Sequence, residues 1–128
     1  MRALVVDDTV ETRTALSRLL RRIGFDDILT AEDGRDALDQ VREAGPIDLA
    51  LVDWYMPNLD GVSTIRALRS QAGFRDVPIL MVTGESDLQR IMLALSAGAD
   101  DYVTKPFDPT SLRSHLLLLG LRLHPLLS

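Results

Sequence analysis

Two rhythms of apolar and polar positions divide this chain. Five short apolar runs, at residues 3–6, 27–31, 47–53, 77–83 and 101–104, predict strands, and the run at 47–53 is apolar apart from Asp48 until it reaches Asp53. A strand with apolar side chains on both faces belongs inside a parallel sheet. Between the runs, apolar residues recur at helical spacing. Ala15, Leu16, Leu19, Leu20 and Ile23 share one face after Thr9, a candidate cap, and Gly24 stops that helix. Asp33 opens a second helix carrying Ala37, Leu38 and Val41, which ends near Gly45 and Pro46. A third begins at Asp60 and turns Val62, Ile65 and Leu68 inward. Ser86 and Gln89 predict a capping box for a fourth, with Leu88, Ile91, Met92 and Leu95 as its inward stripe. Asp108 and Pro109 start a last helix expected to run to Pro125. Strict alternation of strand and helix implies one parallel sheet with right-handed crossovers and helices on both faces, an α/β fold.

With 128 residues and no internal repeat or linker, the chain reads as one domain: residues 1–124, with 125–128 as a tail. The formal charge of −5 argues against binding nucleic acid or anionic membranes. No stretch reaches the roughly 18 apolar residues of a membrane span. The N-terminus opens straight into a strand pattern, so no signal peptide is expected. The absence of cysteine removes disulfides and thiolate metal sites and fits a reducing cytoplasm.

The chemistry gathers where strands end. Asp7 and Asp8, Asp53, Thr83 and Lys105 follow four of the five strands, and parallel strands present those ends on one edge. Singly, each has an ordinary explanation: a strand-end Asp caps a helix, Thr83 before Gly84 makes a turn, Lys105 forms a salt bridge. Together they make a different set. Carboxylates crowded at one edge repel, and a hard cation such as Mg²⁺ relieves them while keeping open positions for water and a phosphoryl oxygen. Lys105 and Thr83 supply a positive charge and a hydroxyl donor for phosphoryl oxygens, and a carboxylate can act as nucleophile.

On these residues the chain resembles the receiver domain of bacterial two-component response regulators, over about residues 2–120. The family's acidic pair falls on Asp7 and Asp8, and its phosphoaccepting Asp on Asp53, followed by Met56 and Pro57. Its switch Ser/Thr falls on Thr83, its Lys-Pro pair on Lys105 and Pro106, and its switch aromatic on Tyr102. The resemblance implies a flavodoxin-like, doubly wound (βα)5 domain with strand order 2-1-3-4-5. It also implies Mg²⁺ held by Asp7 (through a water), Asp8, Asp53 and the backbone carbonyl of Tyr55. A histidine kinase or His-phosphotransfer protein would donate the phosphoryl group. The output surface would be the fourth helix, fifth strand and fifth helix, toward an effector or a second copy. Three positions depart from the common pattern. Thr9 stands where many relatives carry Glu, Tyr55 is bulky, and Glu85 sits two beyond Thr83; in the family the last two positions tune how fast the acyl phosphate hydrolyses.

Leu112, Leu116, Leu117, Leu118, Leu119, Leu121 and Leu123 are expected to surround the last helix, more than one buried stripe needs, which suggests a dimer or partner surface. His115 and His124 are expected at the surface, away from the acids. Two rivals remain. A haloacid-dehalogenase-like phosphatase would need a second Asp where Tyr55 stands, and a phosphorylation-independent domain on the same fold would have no use for intact Asp8, Asp53, Thr83 and Lys105. No effector segment follows residue 120, as expected of a stand-alone receiver or of one cut from a longer regulator or hybrid kinase.

Overall fold

All five expected strands pair in parallel in the order β2-β1-β3-β4-β5: β1 Arg2–Val6, β2 Asp27–Ala31, β3 Leu49–Val52, β4 Ile79–Thr83 and β5 Asp101–Thr104. The computed structural model describes residues 1–126, so the last two residues of the expected tail lie outside it. Side chains alternate across a strand, and here both faces are apolar. Leu4, Val6, Ala50, Val52, Ile79 and Met81 point to one face, covered by α2 Gly34–Ala44, α3 Gly61–Arg69 and α4 Leu88–Ala97. Ala3, Val5, Leu49, Leu51, Leu80 and Val82 point to the other, covered by α1 Val10–Arg22 and α5 Pro109–Leu118. Register pairs Val6 with Val52, Val52 with Met81 and Thr83 with Thr104, so the four relevant strands end on one edge, β4 and β5 running two residues beyond β1 and β3. No helix among the described residues is long and apolar enough to cross a membrane.

Three expectations about α4 and the last helix need correction. The cap of α4 is Asp87, whose carboxylate accepts from the N–H groups of Gln89 and Arg90; Ser86 and Gln89 form no capping box. The inward stripe of α4 is Ile91, Ala94 and Ala97, whereas Leu88, Met92, Leu93 and Leu95 are exposed. Small alanines let this short helix lie close to α3 and the sheet, and the larger side chains are turned outward. The last helix ends at Leu118, not at Pro125. Gly120, at φ +90°, terminates it: the Gly120 N–H donates to the Leu117 carbonyl and the Leu121 N–H to that of Leu116, a paired closure that favours a residue without Cβ at the turn. The same pair of bonds closes α1 around Gly24.

The Leu-rich run is therefore divided. Leu112 and Leu116 are buried, and Leu119, Leu121, Leu123 and Leu126 pack against the α1 side of the core as the chain folds back. The His124 N–H donates to the Ile23 carbonyl at 2.8 Å, and Arg113 Nε donates to the His124 carbonyl at 2.8 Å, holding that return. Only Leu117 and Leu118, the latter 85% exposed, remain as large exposed apolar residues of the run. His115 is half-buried, with Nδ1 2.6 Å from Asp101 Oδ2.

Candidate functional site

Hydrogen bonding carries the sheet one residue past its strands and so fixes the acids. The Asp53 N–H donates to the Val6 carbonyl at 2.9 Å, the Asp7 N–H to Ala31 at 3.1 Å and the Lys105 N–H to Thr83 at 2.8 Å. Asp7, Asp53 and Thr83 are buried, Asp8 is exposed and Lys105 half-buried. Carboxylate oxygens of Asp7, Asp8 and Asp53 lie within 4.8 Å of one another. Lys105 Nζ reaches across β3 and β4 to donate to Asp7 Oδ2 at 2.7 Å and to Asp53 Oδ2 at 3.2 Å. The acids and the amine that the sequence spreads over a hundred residues thus share one hollow. The Lys105–Pro106 peptide bond is cis.

Electrostatics keep the site under tension. Burial pushes the Asp53 carboxyl up; a hydrogen bond with Thr83 opposes that, the Asp7 charge reinforces it and Lys105 opposes it again, leaving the carboxyl above its ordinary value. Burial pulls the Lys105 ammonium down, but the Asp7 hydrogen bond and the charges of Asp53 and Asp7 outweigh it, and the amine is held above its usual range. The hollow therefore holds the Lys105 ammonium against the carboxyl groups of Asp7 and Asp53. Three oxygen donors so close together, with a single amine between two of them, suit a hard divalent cation.

Tyr55 and Tyr102 stand at the rim. Tyr55 is 50% exposed, and its hydroxyl donates to the Glu85 carboxylate. The Tyr102 hydroxyl donates to the backbone carbonyl of Glu85, tying β5 to the loop before α4. Burial, then the Glu85 charge, pushes the Tyr102 hydroxyl up to about 12, so it stays a donor.

Several residues matter here in ways the sequence did not indicate. Thr9, expected to cap α1, makes no such bond; its N–H and Oγ1 donate instead to Asp7 Oδ1 at 2.9 and 3.0 Å. Arg13 Nη1 donates to the Asp7 carbonyl at 2.7 Å. The Trp54 N–H donates to Asp53 Oδ1 at 2.7 Å, leaving Oδ2 to Lys105. Gly61 lies so close beneath the loop carrying Asp53 that a Cβ there would sit 2.1 Å from the Asp53 carbonyl oxygen. A glycine right after a helix cap is the sequence signal for such an approach.

Comparison with known proteins agrees with this geometry. The profile of the family described as response regulator receiver domain matches residues 3–117. The chemotaxis protein CheY1 of Helicobacter pylori is 35% identical over 121 residues, spanning 94% of this chain and 98% of that protein. Among solved structures, CheY4 of Vibrio cholerae aligns with a TM-score of 0.85 at 32% identity, over 92% of this chain and 97% of its own. A chain of the CheX–CheY–BeF3–Mg complex of Borrelia burgdorferi aligns with a TM-score of 0.88 at 25% identity, over 94% and 90%. With its (βα)5 sheet and an acidic hollow at the strand ends, this chain belongs to the response regulator receiver domains, the phosphoacceptor modules of two-component signalling.

Proposed function

We propose that Asp53 is the phosphoacceptor and that residues 1–124 form a signalling switch whose only catalysis is its own phosphorylation and dephosphorylation. The observation that carries this is the position of Lys105 Nζ, 2.7 Å from Asp7 and 3.2 Å from Asp53, beside three carboxylates within 4.8 Å. A histidine kinase or His-phosphotransfer protein is the donor, and the cytoplasm is the compartment where such donors meet it. Asp53 Oδ2 attacks phosphorus, the bond from phosphorus to the donor nitrogen breaks, and the electron pair leaves with the histidine. Lys105 stays on the phosphoryl oxygens, and Thr83 donates its hydroxyl to one of them. Asp8, Asp53 and the Tyr55 carbonyl would hold Mg²⁺, with Asp7 on a ligating water. Its chemistry there is neutralisation of charge on the transferring group.

Drawing Thr83 toward the phosphoryl group pulls on the Glu85 N–H, which donates to Thr83 Oγ1 at 3.4 Å, and through Glu85 on the Tyr102 hydroxyl. Those links end on β5 and on the loop before α4, within the α4, β5 and α5 face that regulates an effector or a second copy. Its exposed apolar residues, Leu88, Met92, Leu93 and Leu95 of α4 and Leu117 and Leu118 at the end of α5, support that use. Nothing in the −5 charge supports direct binding to nucleic acid or membrane.

Incubation with radiolabelled acetyl phosphate and Mg²⁺ tests the assignment. Label enters the parent and is absent from Asp53→Asn; undiminished label in the variant would move the acceptor elsewhere.

A further inference from the structure

Glu85 joins more of the site's rim than any role above requires. Its Oε2 accepts from the Tyr55 hydroxyl and, at 3.3 Å, from Nη1 of Arg90 in the first turn of α4. Arg90 Nη1 also donates to the Tyr55 oxygen. Glu85 Oε1 accepts from the Asp87 N–H at 2.9 Å, fixing the carboxylate to the turn that caps α4. The Glu85 side chain is only 13% exposed within this arrangement, beneath an Arg90 that is 55% exposed. Tyr55 follows Asp53 by two residues and Glu85 follows Thr83 by two, so the closed ring of Tyr55, Glu85 and Arg90 spans the two loops that flank the acceptor.

We propose that Arg90 is a positioning residue for hydrolysis of the acyl phosphate: it clamps Tyr55 to Glu85 across the mouth of the site, slows the approach of water, and ties the lifetime of the phosphorylated state to the position of α4. This rests on Asp53 being the phosphoacceptor. In the step concerned, a water oxygen bonds to phosphorus as the bond from phosphorus to Asp53 Oδ breaks. The electron pair returns to the Asp53 carboxylate, the water gives a proton to solvent, and inorganic phosphate leaves. Arg90 touches none of these atoms and acts through two side chains that screen them. A partner that draws Arg90 away opens the mouth, and one that holds α4 in place keeps it shut.

The test follows loss of label after acetyl phosphate is removed, in the parent, Arg90→Ala, Arg90→Lys, Tyr55→Phe and the Arg90→Ala, Tyr55→Phe double variant. Arg90→Ala speeds hydrolysis about threefold, the change expected for losing an exposed charged contact. Arg90→Lys restores at least half of the lost lifetime, and the double variant is no faster than the faster single one. In urea all five lose label at one rate, because unfolded chains have no mouth to close. A parent lifetime retained by Arg90→Ala, or effects that multiply in the double variant, overturns the clamp and leaves the Asp53 assignment standing. Failure of the parent to take up label overturns both.

Discussion

Asp53, only 7% exposed, is a charged group whose surroundings both oppose and sustain it. Desolvation works against ionisation, and the Thr83 hydroxyl, the Trp54 N–H and the Lys105 ammonium each stabilise the ionised form. That balance depends on where the backbone puts the carboxylate, and Gly61 is the residue beneath it. Its N–H donates to the Trp54 carbonyl at 2.7 Å, and an added Cβ would lie 2.8 Å from Met81 Cε as well as 2.1 Å from the Asp53 carbonyl oxygen. Methionine has room to shift, but the Asp53 backbone is fixed to β1 by the bond to Val6. Gly61→Ala is therefore expected to lower stability by about 1–3 kcal/mol, the usual range for overpacking a filled core. By displacing Asp53, the proposed nucleophile, it is also expected to slow labelling by acetyl phosphate about tenfold or more. Thermal melting and labelling rate measured together check this; parental values in both would mean that the loop yields without moving the carboxylate.

At the scale of elements, the strands were legible because burial on both faces leaves a run of apolar residues that few other structures need. Residues 27–31 and 101–104 form strands over the expected bounds, and β3 and β4 are each two or more residues shorter, with Ile47 and Val77 buried just before them. Helix faces were harder. In α4 the spacing of Leu88, Ile91, Met92 and Leu95 fits an inward stripe, but Ile91, Ala94 and Ala97 fit one too, and hydrophobicity alone prefers the larger residues. Packing distance decides for the alanines. In α5 the run of leucines concealed Gly120, which is the stop signal. Least legible was Arg69 at the end of α3. Its guanidinium donates to the Phe74 carbonyl at 2.7 Å, the Val77 carbonyl at 2.6 Å, the Gly98 carbonyl at 2.7 Å and Asp100 Oδ2 at 2.8 Å. One side chain thus ties α3 to the loop before β4 and to the end of α4, and nothing in its local sequence announces that. Because five N–H groups in a fixed fork make these bonds, lysine cannot replace them. Arg69→Lys is expected to destabilise the fold by about 2 kcal/mol and Arg69→Ala by about 3, from charged hydrogen bonds to partly buried carbonyls left unpaired. Urea unfolding checks the order; a lysine variant as stable as the parent would reduce Arg69 to a single salt bridge with Asp100.

For the whole molecule, the sheet acts as a rigid frame that forces like charges together at one end while its apolar faces supply the stability to tolerate it. Asp7, Asp8 and Asp53 stay within 4.8 Å because β1 and β3 are neighbours in register, and the single ammonium of Lys105 bonds to only two of them. A cation bound by the folded chain and not by the unfolded one must raise stability by mass action. With Mg²⁺ at ten times its dissociation constant, that amounts to about 1.4 kcal/mol, or a melting point higher by roughly 3–7 °C for a domain of this size. Chelation with EDTA should reverse it, and Trp54, which lines the open hollow beside Asp8, should report binding through its fluorescence. Asp8→Asn separates repulsion from binding. Removing one like charge from a crowded set raises the melting point in EDTA, and removing one oxygen donor abolishes most of the gain from Mg²⁺, so the two effects have opposite signs in one variant. If Asp8→Asn melted below the parent in EDTA, the acids would be held by hydrogen bonds that outweigh their repulsion, and the frame would be storing no electrostatic strain for phosphorylation to use.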